Sequence, residues 1–147
     1  MASSTRNRVA GEIARYLGAA SVIGVGAVHA QQYYGAYFNA VPTIGTLFAL
    51  SFVGSGATAA VLLAPVRRLG RRLGPALLVA AAVGAIVIAL GSLVALLVSE
   101  HTPVFGFMES GYRPAIVLTI VFDSLTTVLL GAFLVSAARA RRGRSRA

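Results

Sequence analysis

The chain has 147 residues, 57% of them hydrophobic and only 12% charged, yet it carries a net charge of +9. A water-soluble globular domain holds about 25% charged residues and a disordered chain is poor in apolar ones, so neither class fits and bilayer is the solvent this composition suits. With zero cysteines there is no disulfide framework, no thiolate metal site and no cysteine nucleophile.

In chain order, Arg6, Arg8 and Arg15 lead into a first apolar span at 10–32. Glu12 stands four residues from Arg8 and three from Arg15, a helical spacing that supports ion pairing. A competing reading of this span is a signal peptide: arginines, an apolar stretch from Tyr16 to Val28, then the small-residue site Val28-His29-Ala30. Cleavage after Ala30 would leave three spans. The second span is expected at 43–66 and the third at 75–99, with Arg67, Arg68, Arg71 and Arg72 between them. The fourth is expected at 115–138, followed by a basic tail at 139–147 that holds Arg139, Arg141, Arg142, Arg144 and Arg146. Each span has the roughly 20 residues that a bilayer crossing needs. Pro42, Pro75 and Pro114 fall at helix starts, where a missing N–H costs nothing, Pro65 at an end and Pro103 in a loop. The expected fold is therefore all-α: one transmembrane domain, a bundle of four transmembrane helices.

The arginines orient it. All 13 basic residues are arginine, and twelve of them lie at the termini or in the 67–72 loop. A basic, arginine-rich tail can signal nucleic acid. Clusters recurring at the ends of spans are instead topology determinants that favour the cytoplasm. The reading is a multi-pass protein of the bacterial plasma membrane with both termini cytoplasmic and no nucleic-acid partner. Its partners are the bilayer, anionic inner-leaflet lipids held nonspecifically, and either further copies of itself or a larger membrane complex. Seven of the twelve aromatic residues, Tyr33, Tyr34, Tyr37, Phe38, Phe105, Phe107 and Tyr112, fall in or beside the outer segments, as an interfacial belt would. Small residues recur at four-residue spacing, as in Ser51-Ser55-Ala59, Gly56-Ala60, Ala81-Ala85-Ala89 and Gly91-Ala95. Such faces let helix backbones approach closely.

An offset of 72 residues aligns His29 with His101, Pro42 with Pro114 and Arg67 with Arg139. A hairpin of two spans repeated once would do this, as would convergence on one hairpin geometry. Under the repeat, His29 and His101 lie at matching depth near the outer face, with Glu100 and Glu109 close in sequence. Two opposed histidines can ligate haem iron, and neutral imidazole a divalent metal. The plainer alternative is two interfacial histidines bonded to backbone and water, with no cofactor.

Asp123 lies nine residues past Pro114, about 13 Å down the fourth helix, where a carboxylate costs several kcal/mol unless protonated, paired or hydrated. Thr119, Thr126 and Thr127 share its helix face. Ser51, Ser55 and Thr58 form a polar stripe on the second helix, and the 72-residue offset sets Ser51 against Asp123. Two readings stand: a proton-titrating or cation-contacting group on a small internal cavity, with Asp123, Thr119, Thr127, Ser51 and Ser55 as its path, or a structural carboxyl hydrogen-bonded to the neighbouring hydroxyls.

Enzyme motifs are absent: there is no Walker loop, no Gly-x-Ser-x-Gly elbow and no His-Glu-x-x-His, so an enzyme is not expected. The segments Val41-Pro42-Thr43-Ile44-Gly45-Thr46-Leu47-Phe48 and Phe105-Gly106-Phe107-Met108-Glu109-Ser110-Gly111-Tyr112 resemble those of small four-span membrane proteins of actinobacteria. The pattern there runs His then aromatics, Ile-Pro-Thr-Ile-Gly, and Phe-Gly-Phe-x-Glu-x-Gly-Tyr, with Val41 here in place of the usual isoleucine. This resemblance covers most of the chain and implies the fold and the membrane, without an activity. Three functions follow: a non-enzymatic accessory subunit of a membrane complex, a small channel or proton-coupled carrier using Asp123, or a redox protein holding haem or metal at His29 and His101.

Overall fold

A computed structural model describes residues 2–70, 72–106, 108, 111 and 113–144. It is a bundle of four helices: α1 (Ala2–Gly35), α2 (Pro42–Leu63), α3 (Leu73–Ser99) and α4 (Pro114–Arg144). All four are long and apolar enough to cross a membrane. Large apolar side chains such as Ile23, Val53, Val87 and Val128 are exposed on the four helices in turn, a surface that suits lipid rather than water.

The punctuation has local causes. At Tyr37 the backbone turns left-handed (φ 61°), which stops α1, and a 3-10 turn at Phe38–Ala40 leads into α2. Pro42 takes the first position of α2, where it leaves no hydrogen bond unmade. α2 ends at Leu63, three residues short of the expected boundary, because Pro65 drives Ala64 into extended backbone (φ −65°, ψ 152°). The C-terminus of α3 is capped by its own side chains: Ser99 Oγ donates to the Leu96 carbonyl at 2.7 Å and His101 Nδ1 to that of Leu97 at 2.9 Å. Residues 139–144 of the expected tail are the last turns of α4. Two glycines let the turns fold back onto the helices that follow. A Cβ on Gly45 would stand 2.6 Å from the Phe38 carbonyl oxygen, and one on Gly74 would stand 2.4 Å from that of Val66.

Each helix packs against its two neighbours around the ring α1–α2–α3–α4. The first helix is the hub, with 56% of its spanning segment buried, against 17% in α2 and 28% in each of α3 and α4. Its sequence explains this. Gly11, Ala14, Gly18, Ser21, Val25, Val28 and Gln32 repeat at alternating three- and four-residue steps, and all are buried. That is a heptad seam whose first four positions, Gly11 to Ser21, are small residues. It runs against α4: a Cβ on Gly11 would meet Ser136, and one on Gly18 would meet Leu130. The α1 helix continues unbroken through Ala30, so cleavage there would strip Ala19, Val22 and Val25 from the core. Of the small-residue stripes, Ala81-Ala85-Ala89 is buried and Ser55 and Ala59 are buried, whereas Gly56 and Ala60 face outward.

The bundle is zoned along its length. Toward the arginine-rich end, Leu62, Leu78, Ala82, Leu130 and Phe133 close into one apolar cluster with α1. Glu12 ties this end together by pairing with Arg15 at 3.2 Å and with Arg67 in the α2–α3 turn. Sequence spacing pointed to Arg8 and Arg15 as its partners. Arg67, which lies 55 residues away, replaces Arg8 because the turn folds back beside α1. Arg15 itself is 4% exposed and stacks its guanidinium over the Tyr16 ring. Toward the aromatic end the helices part around a cavity.

Candidate functional site

The cavity holds about 370 Å³ between the last turns of α1 and α3 and the first turns of α2 and α4, with Val104 and Phe105 of the α3–α4 segment at its outer end. Its lining also includes the exposed Leu47, Val87, Gly91 and Ala95, so it is partly open along the side of α2 and α3. Fourteen of its twenty-one lining residues are apolar or glycine. Its polar wall consists of His29 and Gln32 from α1, Ser51 from α2, Ser92 and Ser99 from α3, Thr119 from α4 and Arg113 just before it. Ser51 is nine residues into α2 and Ser92 seven residues from the end of α3, so the floor lies about 10–13 Å inside the bundle.

Asp123 sits one helical turn beyond Thr119, just under that floor. It is 0% exposed, and among the described residues neither carboxyl oxygen has a hydrogen bond of normal geometry. Ser92 is the hydroxyl that reaches toward it, though without a hydrogen bond of normal geometry. The threonines on its own face are engaged elsewhere. Thr119 donates to the Ala115 carbonyl (2.9 Å), Thr127 to the Asp123 backbone carbonyl (2.9 Å), and Thr126 to Ser21 Oγ (3.0 Å), which in turn donates to the Phe122 carbonyl (2.9 Å). On α2, Thr58 donates to the Gly54 carbonyl at 2.9 Å, and the buried Ser55 Oγ is unpartnered. Ser92 apart, the hydroxyls beside the carboxyl are engaged elsewhere, so it lacks the full cage that a structural role would call for.

His29 is 5% exposed, tilted against Phe48 with ring centroids 5.5 Å apart. Its Nδ1 lies 2.8 Å from the Val25 carbonyl, which only accepts, so in the neutral ring Nε2 is the nitrogen left to accept from the cavity. Gln32 adds a second acceptor, its Oε1 being buried without a partner. The site thus presents acceptors on its walls and a carboxyl below its floor, an arrangement suited to a cation or a proton.

The structure brings together His29, Ser51 and Thr119, with Asp123 beneath. Ser55 and Thr127 lie further toward the arginine-rich end, one turn past Ser51 and Asp123 respectively. His101 is exposed, serves as a helix cap and does not line the cavity with His29; Glu100 beside it is half-buried. Glu109 lies outside the described residues. Among the described residues no three His, Asp or Glu groups gather where they could hold a metal ion. Ser92 and Gln32 were not singled out from sequence. The signal was there for Ser92: it and Ser99 are the two hydroxyl residues of α3, seven apart on one face.

No family model matches the chain, and no curated protein or solved structure matches it either.

Proposed function

We propose that the protein resides in a bacterial plasma membrane with both termini in the cytoplasm, and that it acts as a small carrier accepting a proton or cation at Asp123 from the outer side. One observation carries this reading: a fully buried carboxyl, neither oxygen in a hydrogen bond of normal geometry among the described residues, beneath a cavity at the aromatic end. Intramembrane acids are costly and rarely idle, and one with no partner adds cost without holding anything together. The apolar cluster of Leu62, Leu78, Leu130 and Phe133 below it favours a carrier over an open channel. The arginine clusters support the orientation, and the resemblance to small actinobacterial proteins supports the bacterial membrane.

The test is ion and proton flux into proteoliposomes. Asp123→Asn preserves shape and removes titration, and its flux should fall to that of protein-free vesicles. Wild-type flux in that variant would remove the proposal.

A second reading is the accessory subunit. It is favoured by α2, the least buried helix, whose Gly56 and Ala60 face outward with open space beside Gly56, as a helix awaiting a closely packed partner would. Co-purification of one constant partner, together with absent flux, would support it.

A further inference from the structure

The geometry points to a compact organic monocation as the ligand of the outer cavity: an ammonium group over Ser51, Ser92 and Thr119 with Asp123 behind them, carrying an apolar body that packs between Ile44, Phe48, Leu96 and Ile116. This rests on the reading of Asp123 as a functional carboxyl, and it names what that carboxyl serves.

The size of the cavity excludes the simplest occupant. About 370 Å³ falls at the lower end of small-molecule sites, which run from about 300 to 1,000 Å³, and it far exceeds a bare ion. A hard cation such as calcium gathers about six to eight oxygens around itself. Here the polar atoms are spread over a largely apolar wall, and no three acidic or histidine groups converge among the described residues. An apolar body fills such a wall; an inorganic ion or a cluster of water does not.

The floor specifies the head group. Among the described residues the two buried oxygens of Asp123 have no donor at normal hydrogen-bond geometry, and Ser92, which lines the cavity, reaches toward them. The Thr119 hydroxyl already donates to Ala115, which leaves its oxygen to accept, and the Ser51 oxygen faces the same space. An ammonium has donors alone, and so matches a floor of acceptors backed by a negative charge. Arg113, the cation at the mouth, is engaged in an interaction of its own and lies ten residues from Asp123 along the chain, about 15 Å at 1.5 Å per residue. Its backbone therefore stands farther from the floor than the carboxyl does, and it opposes a cation there less strongly than Asp123 attracts one. With the ligand nitrogen about 5–6 Å from an ionised carboxyl and an effective dielectric near 20, the charge should favour an ammonium over a neutral isostere by up to about a hundredfold.

The experiment uses the full chain in nanodiscs, titrated with 2-phenylethylammonium, its neutral isostere 2-phenylethanol and the anion 3-phenylpropionate. The expected result is ammonium binding up to about a hundredfold tighter than the alcohol, with the anion weakest. In Asp123→Asn the ratio should fall to within a few-fold while the alcohol binds as before. A second variant, Gly91→Leu, leaves Asp123 untouched and fills the cavity, because Gly91 lines it and a Cβ there meets nothing within 4 Å. It should weaken both the ammonium and the alcohol at least tenfold. Equal binding of ammonium and alcohol, a preference that survives Asp123→Asn, or no binding by any of the three overturns the inference. Flux lost in Asp123→Asn without ammonium binding would retain the proton site and remove only the organic ligand.

Discussion

Replacing Asp123 with leucine should make the protein more stable, and the sign of that change separates a functional carboxyl from a structural one. Leucine carries the same forked side chain of four heavy atoms, so the packing around position 123 is preserved. What disappears is a fully buried polar group whose two oxygens make no hydrogen bond of normal geometry among the described residues. A buried polar group without a partner costs about 1–3 kcal/mol, and its removal should recover about 2 kcal/mol. For a chain of this size that corresponds to a rise in melting temperature of about 4–8 °C. Circular dichroism of purified protein in one detergent, wild type beside variant, reads the shift directly. A structural carboxyl caged by Ser92, Thr119 or Thr126 would give the opposite result, since leucine would strand their hydroxyls. A melting temperature lowered by several degrees would therefore refute the argument that Thr119 and Thr126 are committed elsewhere and that Ser92 holds the carboxyl only weakly. Stability gained as function is lost is the usual signature of a residue kept for activity.

Four further outcomes follow from the packing. Gly18→Val should destabilise the bundle by about 1–3 kcal/mol, because its Cβ would stand 2.4 Å from the Leu130 side chain, whereas Gly56→Ala, with nothing within 4 Å, should change stability by less than about 0.5 kcal/mol; thermal melts of both test the α1–α4 seam. Glu12→Ala removes two ion pairs at once and leaves the buried Arg15 unpaired, so it should cost about 1–3 kcal/mol. Arg67→Ala should cost under about 1 kcal/mol, since the Arg67 side chain is 53% exposed. If the two cost the same, Glu12 does not act as the shared anchor.

Much of the fold was legible in the sequence because a bilayer imposes length and polarity on every crossing. Proline at the first position of α2 and of α4 marks those starts within a residue. The end of α2 was harder to place. Apolar residues run on past Leu63, and the break comes from the steric demand that Pro65 makes on Ala64, a demand hydropathy does not express. The first helix carries its heptad of small residues in plain view, but alanine and glycine are so frequent in this chain that four-residue spacing alone drew the eye equally to Gly56 and Ala60, which face outward. At the site, Asp123 was conspicuous as an acid in an apolar span. The hydroxyls that would have tamed it could be counted from sequence, but the acceptor each had chosen could not, because Thr119, Thr126 and Thr127 each have several acceptors in reach. The 72-residue offset paired His29 with His101, and both bond to a carbonyl four residues back. Their surroundings part company because α1 is the buried hub whereas α3 ends at the surface.

The central claim is that a cavity open at the outer face delivers cations to the neighbourhood of Asp123. The chain contains no cysteine, so a single Ser51→Cys on the cavity wall gives an unambiguous reporter. Its modification by membrane-impermeant methanethiosulfonates, one bearing a trimethylammonium and one a sulfonate, should proceed from the outer side of the membrane and not from the inner. The cationic reagent should react faster by tenfold or more, and Asp123→Asn should abolish that preference. Labelling from the inner side, or equal rates for the two reagents with Asp123 in place, would contradict the account.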